Sequence, residues 1–122
     1  MTGKETNGFG IILEESEQIV HNWKGIYFAN MSRSGALSGY LVLTNRRLVW
    51  CQERGLFTRT VFVAFDFRLR EIKGISISGE DIYITGESGA KWFRLPKVGN
   101  EELSVFKEMI LRQKENESRA TH

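Results

Sequence analysis

The chain of 122 residues is poor in cysteine, histidine and proline, and each scarcity excludes a class of structure or site. Its single cysteine, Cys51, cannot form an internal disulfide, and two histidines are too few for a Cys/His zinc site. No apolar run approaches the roughly 18 residues that a membrane-spanning helix needs. The first residues contain no apolar segment of the kind found in secretory signals. We therefore expect a reduced, cytoplasmic protein without metal or other cofactor, in which Cys51 is a buried structural thiol.

The groups that catalysis requires are also missing from useful positions. His21 lies in a strand-like segment and His122 at the terminus, so neither has a neighbouring nucleophile to activate. Acidic pairs such as Glu14 and Glu15 lie in polar runs, and no glycine-rich loop leads into a helix. We expect no catalytic residues and a protein that is not an enzyme.

Charge is nearly balanced overall but is unevenly distributed. Lys and Arg number 17 against 15 Asp and Glu, a net charge of +2 that is too small to indicate nucleic acid by itself. Between Asn45 and Lys73, seven basic residues stand against three acidic ones, whereas the segment 14–17 contains three glutamates. This asymmetry leaves room for one basic face on the folded domain.

Apolar periodicity predicts about seven β-strands followed by one helix. A short apolar segment, GFGIIL at residues 8–13, comes first and is either an extra strand or a packing arm. The strands are predicted at residues 19–30, 40–44, 47–52, 58–67, 72–77, 82–85 and 91–95.

The spacing then changes to that of an amphipathic helix. Leu103, Phe106 and Ile110 recur three and four residues apart, and Asn100 is a suitable N-cap, so a helix is predicted over residues 101–114. We divide the chain into an N-terminal arm at 1–17, a folded domain at 18–114 and a disordered tail at 115–122.

The segment 39–50, GYLVLTNRRLVW, places a polar turn between two apolar runs. Because asparagine tolerates a positive φ, this segment predicts a tight β-hairpin that turns at Asn45 and Arg46. The segment resembles the signature of the GRAM-like branch of the pleckstrin-homology-like (PH-like) superfamily, in which a glycine, a β run, Thr-Asn and Arg-Leu precede an aromatic residue. The matching positions are Gly39, Thr44, Asn45, Arg47, Leu48 and Trp50. The run Arg-Leu-Val-Trp also resembles the GLUE domains of the ESCRT-II trafficking complex.

The resemblance covers residues 18–114 and implies a mainly β fold, a PH-like barrel of two bent antiparallel sheets capped by the C-terminal helix. It implies a non-catalytic adaptor that binds an anionic phospholipid surface or a phosphoinositide. A GLUE-like domain would instead bind a protein partner such as ubiquitin. Asn45, Arg47 and Trp50 are then structural residues, with Arg47 bracing the barrel through a carboxylate or a backbone carbonyl.

Basic residues near the loops are the candidate lipid- or phosphate-binding groups, because converging cations suit phosphate oxygens. They are Lys24, Arg33, Arg46, Arg54 and Arg59. In a PH-like barrel the loops after the first, third and sixth strands form one open end. Leu56 and Phe57 lie between two of the arginines, and they either enter a lipid interface or begin a strand that faces the core.

Two other kinds of partner are open at this point. Trp23, Trp50 and Trp92 could stack on nucleic-acid bases, but packing in the core is the more ordinary use of these side chains, and nucleic acid is an unlikely partner. A protein partner would use an exposed sheet edge or the groove between helix and sheet.

Overall fold

Seven antiparallel strands and a long C-terminal helix make up the described part of the chain, residues 8–55 and 57–120 of the computed structural model. The elements are β1 (Ile19–Phe28), β2 (Ala36–Thr44), β3 (Arg47–Arg54), β4 (Thr60–Arg68), β5 (Gly74–Ser78), β6 (Asp81–Gly86), β7 (Gly89–Arg94) and α1 (Asn100–Ala120). The prediction of about seven strands and a terminal helix is confirmed, and the strand bounds differ from the predicted ones by at most four residues.

The strands form one sheet in the order β4-β3-β2-β1-β7-β6-β5. β1 pairs with β2 along its length, while only residues 26–28 of β1 pair with residues 92–94 of β7. The antiparallel register places the β1–β2, β3–β4 and β6–β7 connections at one end of the sheet, which we call the loop end. The β2–β3 turn and the short helical turn Leu69–Glu71 lie at the opposite end, the hairpin end.

The main core lies between the inner face of the sheet and α1. Trp50 and Phe93 are its largest fully buried side chains from the strands. The predicted stripe on the helix, Leu103, Phe106 and Ile110, is buried against them. Burying side chains of this size stabilises a fold by about 1.5–3 kcal/mol each, so this contact is what fixes the helix on the sheet.

A second apolar cluster lies on the outer face of β2 and β3. Side chains alternate along a strand, so Val42, Val49 and Cys51 point away from the main core. Ile11 of the N-terminal arm is buried against them, and Phe9 packs its ring on Tyr40 with centroids 5.5 Å apart. The described part of the arm contains no strand, so of the two predictions for residues 8–13 the packing arm is correct and the extra strand is wrong. Both faces of this part of the sheet are therefore covered.

Two predictions about the helix are wrong. Its N-cap is Gly99, whose carbonyl accepts a hydrogen bond from the Leu103 N–H at 3.0 Å, and not Asn100. The helix also continues to Ala120, so the predicted disordered tail is helical from residue 115 to 120. No proline or glycine interrupts these residues, and Glu115 and Arg119 form an ion pair one helical turn apart at 3.6 Å.

Candidate functional site

The loop end gathers three of the five basic residues that the sequence analysis selects. Lys24 and Arg59 each lie close to the carboxylate of Glu53, at 3.4 and 3.5 Å. The guanidinium of Arg54 lies 4.6 Å from the centre of the Phe62 ring. These side chains border a shallow depression of about 360 Å³. Arg59 remains 70 % exposed, so its ion pair with Glu53 is weak and leaves the guanidinium accessible to another anion.

Phe57 lies at the tip of the β3–β4 loop and is 98 % exposed. The alternative that it begins a core-facing strand is wrong, because β4 begins only at Thr60. The loop turns sharply at Gly55, where φ is +119° and a Cβ atom would lie 2.1 Å from the Thr58 carbonyl oxygen. Leu56, the other predicted insertion residue, lies outside the described residues. The loop therefore presents a large aromatic side chain to solvent with one arginine on each side of it in sequence.

Arg33 lies at the same end but on the other half of the sheet. Its guanidinium is 5.8 Å from the centre of the Trp92 ring, which stacks on Phe28 at 4.1 Å. The Trp92 indole donates a hydrogen bond to Asp81, and this bond, with those from Arg94, holds the pKa of Asp81 below its usual value. Arg33 therefore lies beside the buried aromatic pair Phe28 and Trp92 on the outer face of β1 and β7, and not in the cluster at Glu53.

Lys91 is a further cation of the loop end that the loop pattern does not identify. Its ammonium group lies 4.8 Å from the centre of the Phe65 ring and 5.9 Å from that of Tyr27. Tyr27 and Phe65 pack against the main core, so Lys91 lies on the inner face of the sheet. The sequence signal is its position two residues before Phe93, which gives both side chains the same face of β7.

The hairpin end holds Arg46 and Arg47 of the segment 39–50, and it lies opposite the loop end. Arg46 therefore does not join the predicted loop cluster. Its guanidinium donates a hydrogen bond at 3.2 Å to the carbonyl oxygen of Glu15 in the N-terminal arm. Asn45 also binds the arm, because its side chain donates to the Ser16 carbonyl at 3.1 Å and accepts from the Gln18 N–H at 2.8 Å.

Arg47 joins the arm to the sheet through a group of ion pairs that we call the arm clamp, formed by Glu17, Thr44, Arg47 and Asp66. Arg47 donates to Glu17 at 2.8 and 3.1 Å, to Asp66 at 3.0 Å and to the Ile12 carbonyl at 2.9 Å. The Thr44 hydroxyl donates to Glu17 at 2.7 Å. These are the contacts expected of a structural residue, since they connect three separate segments of the chain.

Burial and hydrogen bonding act in opposite directions on the clamp. The side chain of Glu17 has 0 % exposure, and this burial alone would raise the pKa of its carboxyl group. Hydrogen bonds from Arg47, from the Glu14 N–H and from Thr44 outweigh burial, so the pKa lies below its usual value. The pKa of Arg47 is raised, chiefly by its hydrogen bond to Glu17. A second pair links the arm to β4, where Arg68 binds both carboxylate oxygens of Glu14.

The tryptophans mostly serve packing. Trp50 is fully buried, and its indole donates a hydrogen bond to Gln52 at 3.2 Å. Trp23 packs its ring edge against Phe106 of the helix at 4.7 Å. Trp50 therefore has no open ring face for base stacking of the kind that single-stranded nucleic acids require, and Trp23 contributes to the contact between sheet and helix.

Within residues 8–55 and 57–120, no group of three or more His, Cys, Asp or Glu side chains is arranged to hold a metal ion. No helix in this part of the chain is both long and apolar enough to cross a membrane.

Comparison with known proteins identifies the fold. The chain matches no protein-family model and no curated protein. It is similar to the N-terminally truncated linker-DH/PH domains of p115-RhoGEF, with a TM-score of 0.65 and 10 % identity over 82 % of this chain and 30 % of that one. It is also similar to the C-terminal domain of an unknown protein from Leishmania infantum, with a TM-score of 0.55 and 13 % identity over 81 % and 86 % of the two chains.

These likenesses confirm the predicted fold class, and at such low identity they show the fold alone. The chain therefore has a PH-like fold. It spans about a third of the length of the p115-RhoGEF chain that it matches.

Proposed function

We propose that this PH-like domain is a non-catalytic adaptor that attaches peripherally to an anionic membrane surface, on its cytoplasmic side, through the loop end. The observation that carries the proposal is the full exposure of Phe57 between Arg54 and Arg59. An exposed aromatic side chain with flanking cations suits the boundary between acyl chains and anionic head groups. The resemblance of the β2–β3 hairpin to the GRAM-like signature supports the same function.

The attraction is the sum of several weak contributions. Inserting Phe57 would contribute about 1.5–3 kcal/mol, and each basic residue near an anionic surface about 1 kcal/mol. Lys24, Arg54 and Arg59 lie in one cluster, but Glu53 offsets part of their charge. The cations are exposed and do not enclose a deep pocket, which favours a general anionic phospholipid surface over selection of one phosphoinositide head group. Binding of this kind weakens steeply with salt.

The first test is co-sedimentation with phosphatidylcholine vesicles, with and without phosphatidylserine or a phosphoinositide. Phe57→Ser should weaken binding to anionic vesicles about tenfold, which corresponds to the lower end of the insertion energy. Val105→Ser is the matched control, because Val105 is also exposed but lies on the helix. Failure of the wild type to sediment with anionic vesicles at low salt, or equal effects of the two variants, would contradict the proposal.

A second test separates the position of the charges from their number. The double variant Arg54→Gln, Arg59→Gln loses two positive charges at the loop end. The double variant Arg112→Gln, Arg119→Gln loses the same charge from exposed helix positions whose partners lie on the helix itself. We expect the first to reduce vesicle binding by at least about fivefold and the second to have little effect. Equal losses would mean that only net charge matters.

A groove between the β5 edge and α1 favours protein binding as a second candidate function. β5 is an edge strand, and a cavity of about 560 Å³ beside it is lined by Ile77, Leu103 and Leu111. An added strand or an apolar patch, such as one on ubiquitin, suits an edge with adjacent apolar side chains. In an NMR titration with ubiquitin, shifts at these residues that Leu111→Ser abolishes would support this function, and the absence of shifts would exclude ubiquitin.

A further inference from the structure

The hairpin end carries a polar pocket that membrane binding does not use. It has a volume of about 660 Å³ and lies between the ends of the β-strands and the last turns of α1. Its lining includes Arg46, Arg68 and Arg70 on the sheet side and Gln113, Asn116 and Glu117 on the helix side. A pocket of this size holds a few residues of a peptide or a small molecule.

Two buried polar atoms of the lining have no hydrogen-bond partner among the described residues. They are the Nε of Arg46, which is a donor, and the Oε1 of Glu117, which is an acceptor. Buried polar atoms are normally satisfied, so each of these atoms calls for a complementary group. A ligand that satisfies both atoms must offer an acceptor and a donor.

The charges of the pocket favour one kind of ligand. Arg68 is neutralised by the two carboxylate oxygens of Glu14. Arg46 and Arg70 then face a single carboxylate, that of Glu117, which leaves one positive charge. One carboxylate balances this charge, whereas a phosphate monoester carries nearly two negative charges and would be repelled by Glu117.

We propose that this pocket binds an acidic side chain of a partner polypeptide. The carboxylate accepts hydrogen bonds from Arg46 and Arg70, and a backbone N–H of the same peptide donates to Glu117. A peptide carries both a side-chain carboxylate and a backbone N–H, which are the kinds of group that the unpartnered donor and acceptor require. Because the hairpin end is opposite the loop end, the pocket stays accessible while the loops contact a membrane, and the proposal does not depend on membrane binding.

The test is an NMR titration of the full chain with the blocked tripeptide acetyl-glycyl-glutamyl-glycinamide. Its glutaminyl counterpart and inorganic phosphate are the comparison ligands. We expect saturable shifts at the backbone amides of Arg46, Arg70, Asn116 and Glu117, with binding of both comparison ligands at least about tenfold weaker. Equal binding of the glutaminyl peptide, tighter binding of phosphate, or no shifts at these amides would overturn the proposal.

Two variants within the pocket and one control variant outside it locate the site without disturbing the arm. Arg70→Gln should weaken binding of the glutamyl peptide about three- to tenfold, because Arg70 is exposed. Arg112→Gln, on the helix but outside this pocket, should not change it. Glu117→Gln removes the repelling charge, so inorganic phosphate should then bind more tightly than to the wild type. Equal weakening by Arg70→Gln and Arg112→Gln, or no change in phosphate binding with Glu117→Gln, would show that the pocket is not the site.

Discussion

Replacing Arg47 by methionine tests whether the arm clamp stabilises the fold. Arg47→Met keeps an extended apolar side chain but removes the donors that reach Glu17 and Asp66. The Glu17 carboxylate has no exposure, so the variant leaves a buried charge without its cation. Breaking a buried ion pair in this way costs about 3–5 kcal/mol. We expect about 3 kcal/mol, the low end of that range, because Thr44 and the Glu14 N–H still donate to the carboxylate.

Urea denaturation and thermal melting measure this loss. For a domain of this length, a decrease of about 3 kcal/mol in the free energy of unfolding lowers Tm by roughly 10–15 °C. Arg59→Met is the matched control, because it removes an exposed ion pair with Glu53 that contributes at most about 1 kcal/mol. If Arg47→Met were no more destabilising than Arg59→Met, the clamp would not be the structural element that we describe.

The pH dependence of stability gives an independent check that the loss in Arg47→Met comes from the ionised carboxylate of Glu17. In the wild type the folded pKa of Glu17 is below its usual value of 4.5, so the stability from this group is present above that pH and lost as pH falls. In Arg47→Met, burial still raises the pKa of Glu17, but the hydrogen bonds from Arg47 that lower it are absent. The pKa of Glu17 in the folded variant should therefore lie above 4.5. The difference in stability between the two proteins should therefore shrink between about pH 7 and pH 4. A constant difference would contradict the assignment to Glu17.

Three further experiments test the packing of β2, β3 and the N-terminal arm. Gly39→Ala should destabilise by more than about 3 kcal/mol, because its Cβ would lie 2.2 Å from the Cys51 carbonyl oxygen, whereas Gly74→Ala has no atom within 4 Å and should cost under about 1 kcal/mol; equal melting temperatures would contradict this. Burial raises the pKa of the Cys51 thiol to about 12, so iodoacetamide should alkylate the native protein at least about 100-fold more slowly than the unfolded one, and equal rates would refute it. Deleting residues 1–13 removes the cover of this thiol and should increase both its alkylation rate and the binding of an apolar dye; unchanged values would show that the arm does not shield it.

The strands, the hairpin and the buried stripe of the helix could be predicted because their signals are local. The turn at Asn45 and Arg46 joins β2 and β3 where the sequence indicates, although Asn45 does not adopt the positive φ on which that prediction rests. The helical spacing of Leu103, Phe106 and Ile110 likewise depends only on neighbours three and four residues away. The end of the helix has no such signal, since residues 115–119 are exposed or partly exposed and no apolar spacing marks where the helix stops.

The arm clamp depends on contacts that no local pattern specifies. Glu17 and Arg47 are 30 positions apart, and in sequence the three glutamates of the segment 14–17 have the composition of a solvated turn. One feature of the sequence does indicate that a further segment packs on the outer face of β2 and β3. The apolar runs of β2 and β3 do not alternate with polar residues, which is the pattern of strands buried on both faces. Such strands need a second layer, and the apolar segment 8–13 is the nearest candidate.

The exposure of Phe57 could not be predicted because it depends on where one strand begins. An aromatic residue two or three positions before a strand is indistinguishable in sequence from the first residue of that strand. Here β4 begins at Thr60, so Phe57 stays in the loop and points to solvent. A difference of a few residues in this boundary separates a core residue from the residue on which the membrane proposal depends.

The two ends of the sheet use their arginines differently because their carboxylates are placed differently. At the hairpin end, Arg47 and Arg68 pair with carboxylates of the arm, whereas the buried Nε of Arg46 has no hydrogen-bond partner among the described residues. At the loop end, Glu53 serves two exposed cations at once, so neither is fully neutralised. Excess cations around an exposed aromatic residue suit an extended anionic surface, whereas a single surplus charge beside a buried acceptor suits one carboxylate. The adjacent arginines of the hairpin therefore have separate roles, and neither belongs to the proposed membrane surface.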